Sequence, residues 1–298
     1  MSQSISNINI KSALAPNPAL NTQNNEQSNF LSNFLQETLA LTHRLFIQVQ
    51  RRPSSLIAGV IQPFMWLILF GALFSKAPSG LFGNDISYAK FLAPGIIVFT
   101  AFSGALNAGL PVMFDREFGF LNRLLVAPLS TRYSIVAAST IYIIALSFIQ
   151  TAVIIVASAF GGAGLPGISG LGAIALIVLL IVLGVTAMSL GLAFALPGHI
   201  ELIAVIFVTN LPLLFASTAL APLEFMAGWL QVVASINPLT YAIEPIRYLY
   251  ANADWTFNSI VLHTPWIDLN FLSVILVLLV FDALVLLAIQ PLLRRRFA

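Results

Sequence analysis

Six long apolar segments are the feature that most constrains the fold of this chain. A helix needs about 20 mainly apolar residues to cross the hydrocarbon core of a bilayer, and each segment reaches that length. They lie at Leu56–Ser75, Phe91–Met113, Tyr133–Phe160, Gly172–Leu196, Leu202–Ala221 and Phe271–Pro291. The segments predict an all-α polytopic membrane protein with six transmembrane helices.

The composition supports this class and excludes others. Only 8% of the 298 residues are charged and 59% are hydrophobic, whereas a soluble domain carries about a quarter charged residues. So few charged side chains cannot cover the surface of a water-soluble enzyme or form a nucleic-acid interface, and we expect no nucleic-acid partner. The chain also has no cysteine, which excludes disulfides and thiolate ligands.

The chain before the first span divides into two parts. Residues 1–29 are rich in Ser, Asn and Gln without an apolar period, which predicts a disordered cytoplasmic tail. Residues 30–298 are then the transmembrane domain. From Phe30 to Gln50 apolar residues recur mostly every three or four positions, which predicts an amphipathic helix in contact with lipid at the membrane surface.

Basic residues set the predicted orientation, because they favour the cytoplasmic side of a membrane. With six spans and a cytoplasmic N-terminus, ten of the 13 Lys and Arg residues lie inside, and Lys76, Lys90 and Arg247 lie outside. A seventh span through residues 229–249 changes the split to eight and five. It also buries Glu244 and Arg247, at about 2.5–3.5 kcal/mol for each central charge. We therefore predict six spans with both termini in the cytoplasm.

Motifs for chemistry are missing. None of the three lysines follows a glycine, as a P-loop requires, and neither HExxH nor GxSxG occurs. We expect no catalytic residue, no metal site and no cofactor bound by this chain.

The loop between the second and third spans is more informative. Phe114, Phe118, Leu121 and Leu125 are spaced to share one helical face, and Arg116 and Arg123 share another. Such a helix can present apolar anchors and Arg to a protein partner. It can equally lie on the headgroups and only set the topology, and the spacing alone leaves both interpretations open.

Four motifs in sequence order resemble the ABC-2 type permease family. They are Arg51-Arg52-Pro53, the first-span run Gln62–Gly71, the loop run Asp115–Ser130, and Asn237-Pro238 with the following Glu244 and Arg247. The likeness covers about residues 35–293 and is closest to the drug-resistance, daunorubicin exporter-like branch. Four motifs in register make the resemblance specific.

The resemblance implies a function and its partners. The chain would be the permease subunit of an ATP-driven exporter in a bacterial inner (plasma) membrane, moving an amphiphilic drug, lipid or glycan-like cargo. A second permease subunit, identical or different, would complete a dimer. Two separate ABC ATPase subunits would bind ATP and Mg and hydrolyse the ATP.

The resemblance also implies roles for particular residues. Asp115–Leu125 would be the coupling helix that meets the ATPase, with the role carried by Phe114, Asp115, Arg116, Glu117, Phe118, Leu121, Arg123 and Leu125. The Pro222–Tyr250 stretch would form re-entrant outer helices, broken at Asn237-Pro238. The candidate residues of these outer helices are Trp229, Asn237, Pro238, Tyr241, Glu244 and Arg247.

Three polar or helix-breaking residues within the spans are candidates for a transport pathway. Asn210 and Pro212 interrupt the fifth span, and Asp282 lies near the middle of the last. Asp282 can be a proton or substrate site, or a carboxyl hydrogen-bonded to another helix. Asp282 and the broken fifth span are the basis of an alternative function, a secondary transporter driven by an ion gradient. Against that alternative, the chain shows no internal repeat and few intramembrane ionisable groups. An intramembrane enzyme is a further alternative, but no nucleophile–base set is recognisable.

Overall fold

The computed structural model describes residues 18–51, 53–76, 87–121, 131 and 133–297. The first helices are α1 (Pro18–Arg51), α2 (Ser54–Leu73), α3 (Tyr88–Leu106), α4 (Gly109–Glu117) and α5 (Tyr133–Ser158), which runs into a π-helical turn at Ala159–Ala163. Next come α6 (Ile168–Ala195), α7 (His199–Phe215), a 3₁₀ turn at Leu223–Phe225, α8 (Gly228–Ile236) and α9 (Pro238–Ala251). Strands β1 (Ile260–His263) and β2 (Asp268–Asn270) precede the last helix, α10 (Phe271–Phe297).

Five helical segments of the described chain are long and apolar enough to cross a membrane. They are Leu56–Leu73, Tyr88–Glu117, Tyr133–Ala163, Ile168–Ala195 and Phe271–Leu292. The protein is therefore a multi-pass helical membrane protein. The predicted fifth span corresponds to α7, an apolar helix of 17 residues that begins at His199 and ends at Phe215.

The core of the bundle forms around α3. Every residue from Phe91 to Phe102 is buried, and this helix packs against α2, α5, α6 and α9. The α3 helix ends at Leu106, and α4 begins three residues later. Ser189 of α6 bridges the break, because its hydroxyl donates to the Leu106 carbonyl at 2.6 Å and accepts from the Gly109 N–H at 2.9 Å. A side chain of a neighbouring helix thus satisfies backbone groups that the break leaves unpaired.

The predicted amphipathic helix is present as α1, which packs along α5. Thr38, Thr42 and Leu45 are buried on one side, whereas Leu35 and Leu39 are exposed on the other. The exposed apolar row has the chemistry of a lipid contact. The helix begins at Pro18, twelve residues before the start that we predicted at Phe30. Once a helix is nucleated, each added residue gains a backbone hydrogen bond, and polar residues can extend it.

The all-α prediction omits one small element, the antiparallel hairpin of β1 and β2. Leu262 pairs with Leu269 and His263 pairs with Asp268, with an irregularity in register between Ile260 and Leu262. Val261, Leu262 and Leu269 are buried, and β1 packs against α9. β2 leads directly into α10.

Candidate functional site

Three consecutive charged residues, Asp115, Arg116 and Glu117, end helix α4 and form what we call the 115–117 junction. Asp115 accepts two hydrogen bonds from the Arg44 guanidinium of α1, with Nη1–Oδ2 and Nη2–Oδ1 both at 3.2 Å. The same guanidinium lies 3.9 Å from the centre of the Phe120 ring. This two-point pair with a cation–π contact connects α4 to α1.

Arg116 connects α4 to the end of α6. Its Nη1 donates to the Ala193 carbonyl at 2.8 Å, and its Nη2 donates to the Leu196 and Pro197 carbonyls, both at 2.6 Å. The last carbonyls of a helix lack partners within the helix. The planar guanidinium satisfies several of them at once, and its charge opposes the negative end of the helix dipole.

Glu117 connects α4 to the start of α7. Its Oε1 accepts from the His199 backbone N–H at 2.6 Å, and its Oε2 pairs with His199 Nδ1. The first N–H groups of a helix are unpaired and carry partial positive charge, so a carboxylate at this place stabilises the helix start.

The 115–117 junction therefore joins three separate parts of the chain to one short helix. Successive helical residues point about 100° apart, which lets three neighbours reach three different partners. The family resemblance assigns Asp115, Arg116 and Glu117 to the coupling helix that meets the ATPase. In the structure all three are engaged within the chain.

The aromatic residues beside the junction are arranged differently from the prediction. Helix α4 ends at Glu117, and Gly119 has a φ of +76°, a conformation that favours glycine. Phe118 is 78% exposed and stacks on Phe114 with 5.9 Å between ring centres, whereas Leu121 is 4% exposed. The prediction of one helical face through these residues is wrong, because the chain turns at Gly119. Arg123 and Leu125 lie outside the described residues.

A second polar cluster lies at the opposite end of α7, in helices α8 and α9. Asn237 stands between the two helices and accepts from the Leu239 N–H at 2.9 Å, which caps α9, and Pro238 occupies the first helical position. The Asn237 amide also donates to the Leu213 and Ala216 carbonyls at 2.8 and 2.6 Å. One side chain thus fixes the start of α9 and the end of α7.

Arg247 fastens α9 to the core. It pairs with Glu244, as the i, i+3 spacing predicts, and donates to the Thr218 carbonyl at 2.6 Å and the Phe91 carbonyl at 3.3 Å. The guanidinium lies 3.8 Å from the centre of the Phe91 ring. The Tyr241 hydroxyl donates to the Ser235 carbonyl at 2.7 Å and ties α9 back to α8.

Helix α8 is packed much less than α9. Trp229 is 72% exposed, and the apolar residues Val232, Val233 and Ile236 are exposed at helical spacing from it. The stretch is helical, as we predicted, but only α9 is buried throughout most of its length. The α8 face remains available to lipid or to another protein chain.

The candidate pathway residues do not form one site. Asn210 donates to the Ser103 hydroxyl of α3 at 3.3 Å, and its buried Oδ1 has no hydrogen-bond partner among the described residues. Pro212 is exposed within α7. Asp282 is buried against Gly184 of α6, in a cavity that Asn210 does not line.

Sequence reasoning missed several residues that complete these clusters. Arg44, His199 and Ser189 are the partners of the 115–117 junction and of the α3–α4 break. His199 follows Pro197-Gly198, a helix-stop signal that could have marked it as the start of the next helix. Among the described residues, no three His, Asp or Glu side chains are grouped in a way that would hold a metal ion.

Comparison with known proteins agrees with the resemblance seen in the motifs. Residues 36–251 match the sequence model of the ABC-2 type transporter family. A protein of Porphyra purpurea named as a transport permease, ycf38, is 54% identical over 249 residues, which cover 84% of this chain and 86% of the relative. Its counterpart in Cyanophora paradoxa is 50% identical over 262 residues, covering 88% and 90%. More distantly, the Mycobacterium tuberculosis protein DrrC, named as a doxorubicin resistance ABC transporter permease protein, is 23% identical over 213 residues, covering 71% and 75%.

Proposed function

The chain belongs to the ABC-2 type transporter family, and on that premise we propose that it is the permease subunit of an ATP-driven exporter. A separate ABC ATPase would bind ATP and Mg and hydrolyse the ATP. Two ATPase subunits would act on a dimer of permease subunits in a bacterial plasma membrane.

The 115–117 junction is the observation that carries this proposal. An ATPase docked on the exposed Phe118 and its stacking partner Phe114 would contact the end of α4 directly. Movement of α4 would then pass to α1 through Arg44, to α6 through Arg116 and to α7 through Glu117. The docking point is joined by hydrogen bonds to α1, α6 and α7. A permease built in this way could convert movement of the ATPase into movement of its own spans.

Helix α7 extends the same connection to the other end of the bundle. It begins at His199, bound by Glu117, and ends near the carbonyls held by Asn237. A helix of 17 residues is about 25 Å long. A shift at the junction would therefore reach the α8–α9 pair without a flexible intermediate, and α8 and α9 would serve as the re-entrant outer helices.

The proposed topology has six spans with both termini in the cytoplasm. The basic residues support it, and so does α7, because about 17 residues is the lower limit for a spanning helix. Asn210 and Pro212 would lie along the pathway, next to an exposed apolar row on α7 that includes Ile203, Phe207 and Val208. We propose that this row contacts the second permease subunit. The cargo would be an amphiphile, that is, a drug, lipid or glycan-like molecule that suits an apolar route.

Co-purification of the tagged full-length chain from its native membrane tests the proposal. We expect an ABC ATPase in the purified complex, with affinity reduced about 30-fold in Phe118→Ala if this phenylalanine is an interface hot spot. Phe225→Ala is the matched control, because Phe225 is also exposed but lies in the 3₁₀ turn near α8. A wild-type complex without any ATPase, purified under conditions that keep the permease folded, would contradict the proposal.

A further inference from the structure

A cavity of 180 Å³ lies between α5, α6 and α10, and no residue of the 115–117 junction or of α7 lines it. Its walls are mainly apolar: Val136, Thr140, Leu183, Gly184, Ala187, Leu190, Asp282, Leu286 and Ile289 line it. Asp282 is the one ionisable side chain among these lining residues. The Thr140 hydroxyl is already engaged, since it donates to the Val136 carbonyl of its own helix at 2.9 Å.

The Asp282 carboxyl is buried, and it forms no ion pair with a Lys, Arg or His among the described residues. The residue is 8% exposed, and its Oδ1 makes no hydrogen bond to any residue that the structure describes. The side chain packs directly on the backbone of α6, where a Cβ on Gly184 would lie 2.2 Å from Oδ1. An acidic group in an apolar site of a transmembrane helix is costly unless it is paired, and such groups commonly mark ligand pathways.

The lining chemistry selects the kind of cation that can pair with this carboxyl. Mg²⁺ and Ca²⁺ need about six or more oxygen ligands, and the cavity offers one carboxylate and one engaged hydroxyl. An organic ammonium needs only an anionic partner and apolar walls around its carbon atoms. The volume suits such a group, because an apolar cavity of about 150 Å³ accommodates benzene.

We propose that this cavity binds the ammonium group of a membrane-dissolved amphiphilic amine, with Asp282 as its counter-ion. The ligand would enter from the bilayer, because Leu286 at the cavity edge is 60% exposed and its neighbours Leu284 and Leu287 are exposed beside it. The apolar remainder of the ligand would extend between these side chains into lipid. The proposal rests on the transport function for the role of this ligand as cargo, and it narrows the cargo to amines.

Binding to the purified full-length permease in lipid nanodiscs tests the site without any ATPase. The probes are 4-fluorobenzylamine and the neutral 4-fluorobenzyl alcohol, compared by ¹⁹F NMR line broadening. We expect saturable amine binding that is at least about tenfold tighter than alcohol binding, because a buried carboxylate favours the charged group. Equal affinity for the two probes in the wild-type protein would overturn the proposal.

Two variants locate the site, each with a matched control. Asp282→Asn keeps the side-chain size and should remove the tenfold preference for the amine, whereas Asp254→Asn, at an exposed carboxyl, should leave it unchanged. Gly184→Ala should also weaken amine binding, because its Cβ displaces the carboxyl, whereas Gly172→Ala on the same helix meets no atom within 4 Å. Undiminished amine preference in Asp282→Asn would overturn the proposal.

The binding test and the ATPase test fail independently. If the permease binds the amine but co-purifies with no ATPase, the Asp282 site is supported and the ATP-driven function is contradicted. If the permease co-purifies with its ATPase but shows no preference for the amine, the ATP-driven function is supported and the Asp282 site is contradicted.

Discussion

Arg44 and Asp115 are 71 positions apart in the sequence and meet in a two-point ion pair, with both N–O distances at 3.2 Å. The pair joins the surface helix α1 to the end of α4, next to the exposed Phe118. It makes α1 part of the connected region on which a docked partner would act.

The Arg44–Asp115 pair can be tested by exchanging its charges. Arg44→Asp and Asp115→Arg should each lower the unfolding temperature of the purified permease, because each places like charges together. The double exchange should recover part of the loss, with a coupling energy of about 0.5–1 kcal/mol for a partly exposed pair. Strictly additive effects of the two exchanges would show that the pair does not couple α1 to α4.

Arg116 should be intolerant of lysine. Lysine keeps the charge but cannot reach three carbonyls with a planar fork, so Arg116→Lys should lower the free energy of unfolding by about 2 kcal/mol. The same change at the exposed Arg51, at the end of α1, is the control and should have little effect. Chemical denaturation in detergent measures both, and equal effects at the two positions would contradict the capping role of Arg116.

Arg247 should stabilise the folded permease mainly by neutralising Glu244 and by anchoring α9. Arg247→Met leaves a largely buried carboxylate without its partner, and we expect a loss of about 3 kcal/mol of unfolding free energy. Adding Glu244→Gln removes the unpaired charge and should restore part of the stability. A double variant as unstable as Arg247→Met would show that the contacts to Phe91 and Thr218, rather than the ion pair, dominate.

The topology can be read by labelling single cysteines, since the native chain has none. Phe118→Cys and Trp229→Cys are both at strongly exposed side chains. In intact cells an impermeant thiol reagent should label residue 229 and leave residue 118 unlabelled until the membrane is opened. Labelling of both residues from the same side would contradict the six-span arrangement.

Apolar runs and helix-break signals predicted much of the fold. The run at Gly172–Leu196 lies almost wholly within α6, because a continuous apolar segment of that length can form only a buried or lipid-facing helix. Asn237-Pro238 separates α8 from α9, because the Asn side chain caps and the Pro fits the first helical turn. Local chemistry decides both features.

The partners of the 115–117 junction could not be predicted in the same way. Arg116 bonds residues 77 to 81 positions away, and Glu117 bonds His199. These contacts depend on how α4, α6 and α7 are packed, which no local pattern encodes. The prediction that Phe114, Phe118 and Leu121 share one helical face is wrong for a related reason. Helical spacing assumes a continuous helix, and the chain turns at Gly119.

Photocrosslinking from position 118 tests the central claim most directly. Benzoylphenylalanine replaces Phe118, or Phe225 as the control, and native membranes are irradiated before the crosslinked protein is identified by mass spectrometry. We predict an ABC ATPase crosslinked at position 118 and none at position 225. Crosslinks from position 118 to lipid or to this chain alone, in membranes where the permease is intact, would contradict docking of an ATPase at the end of α4.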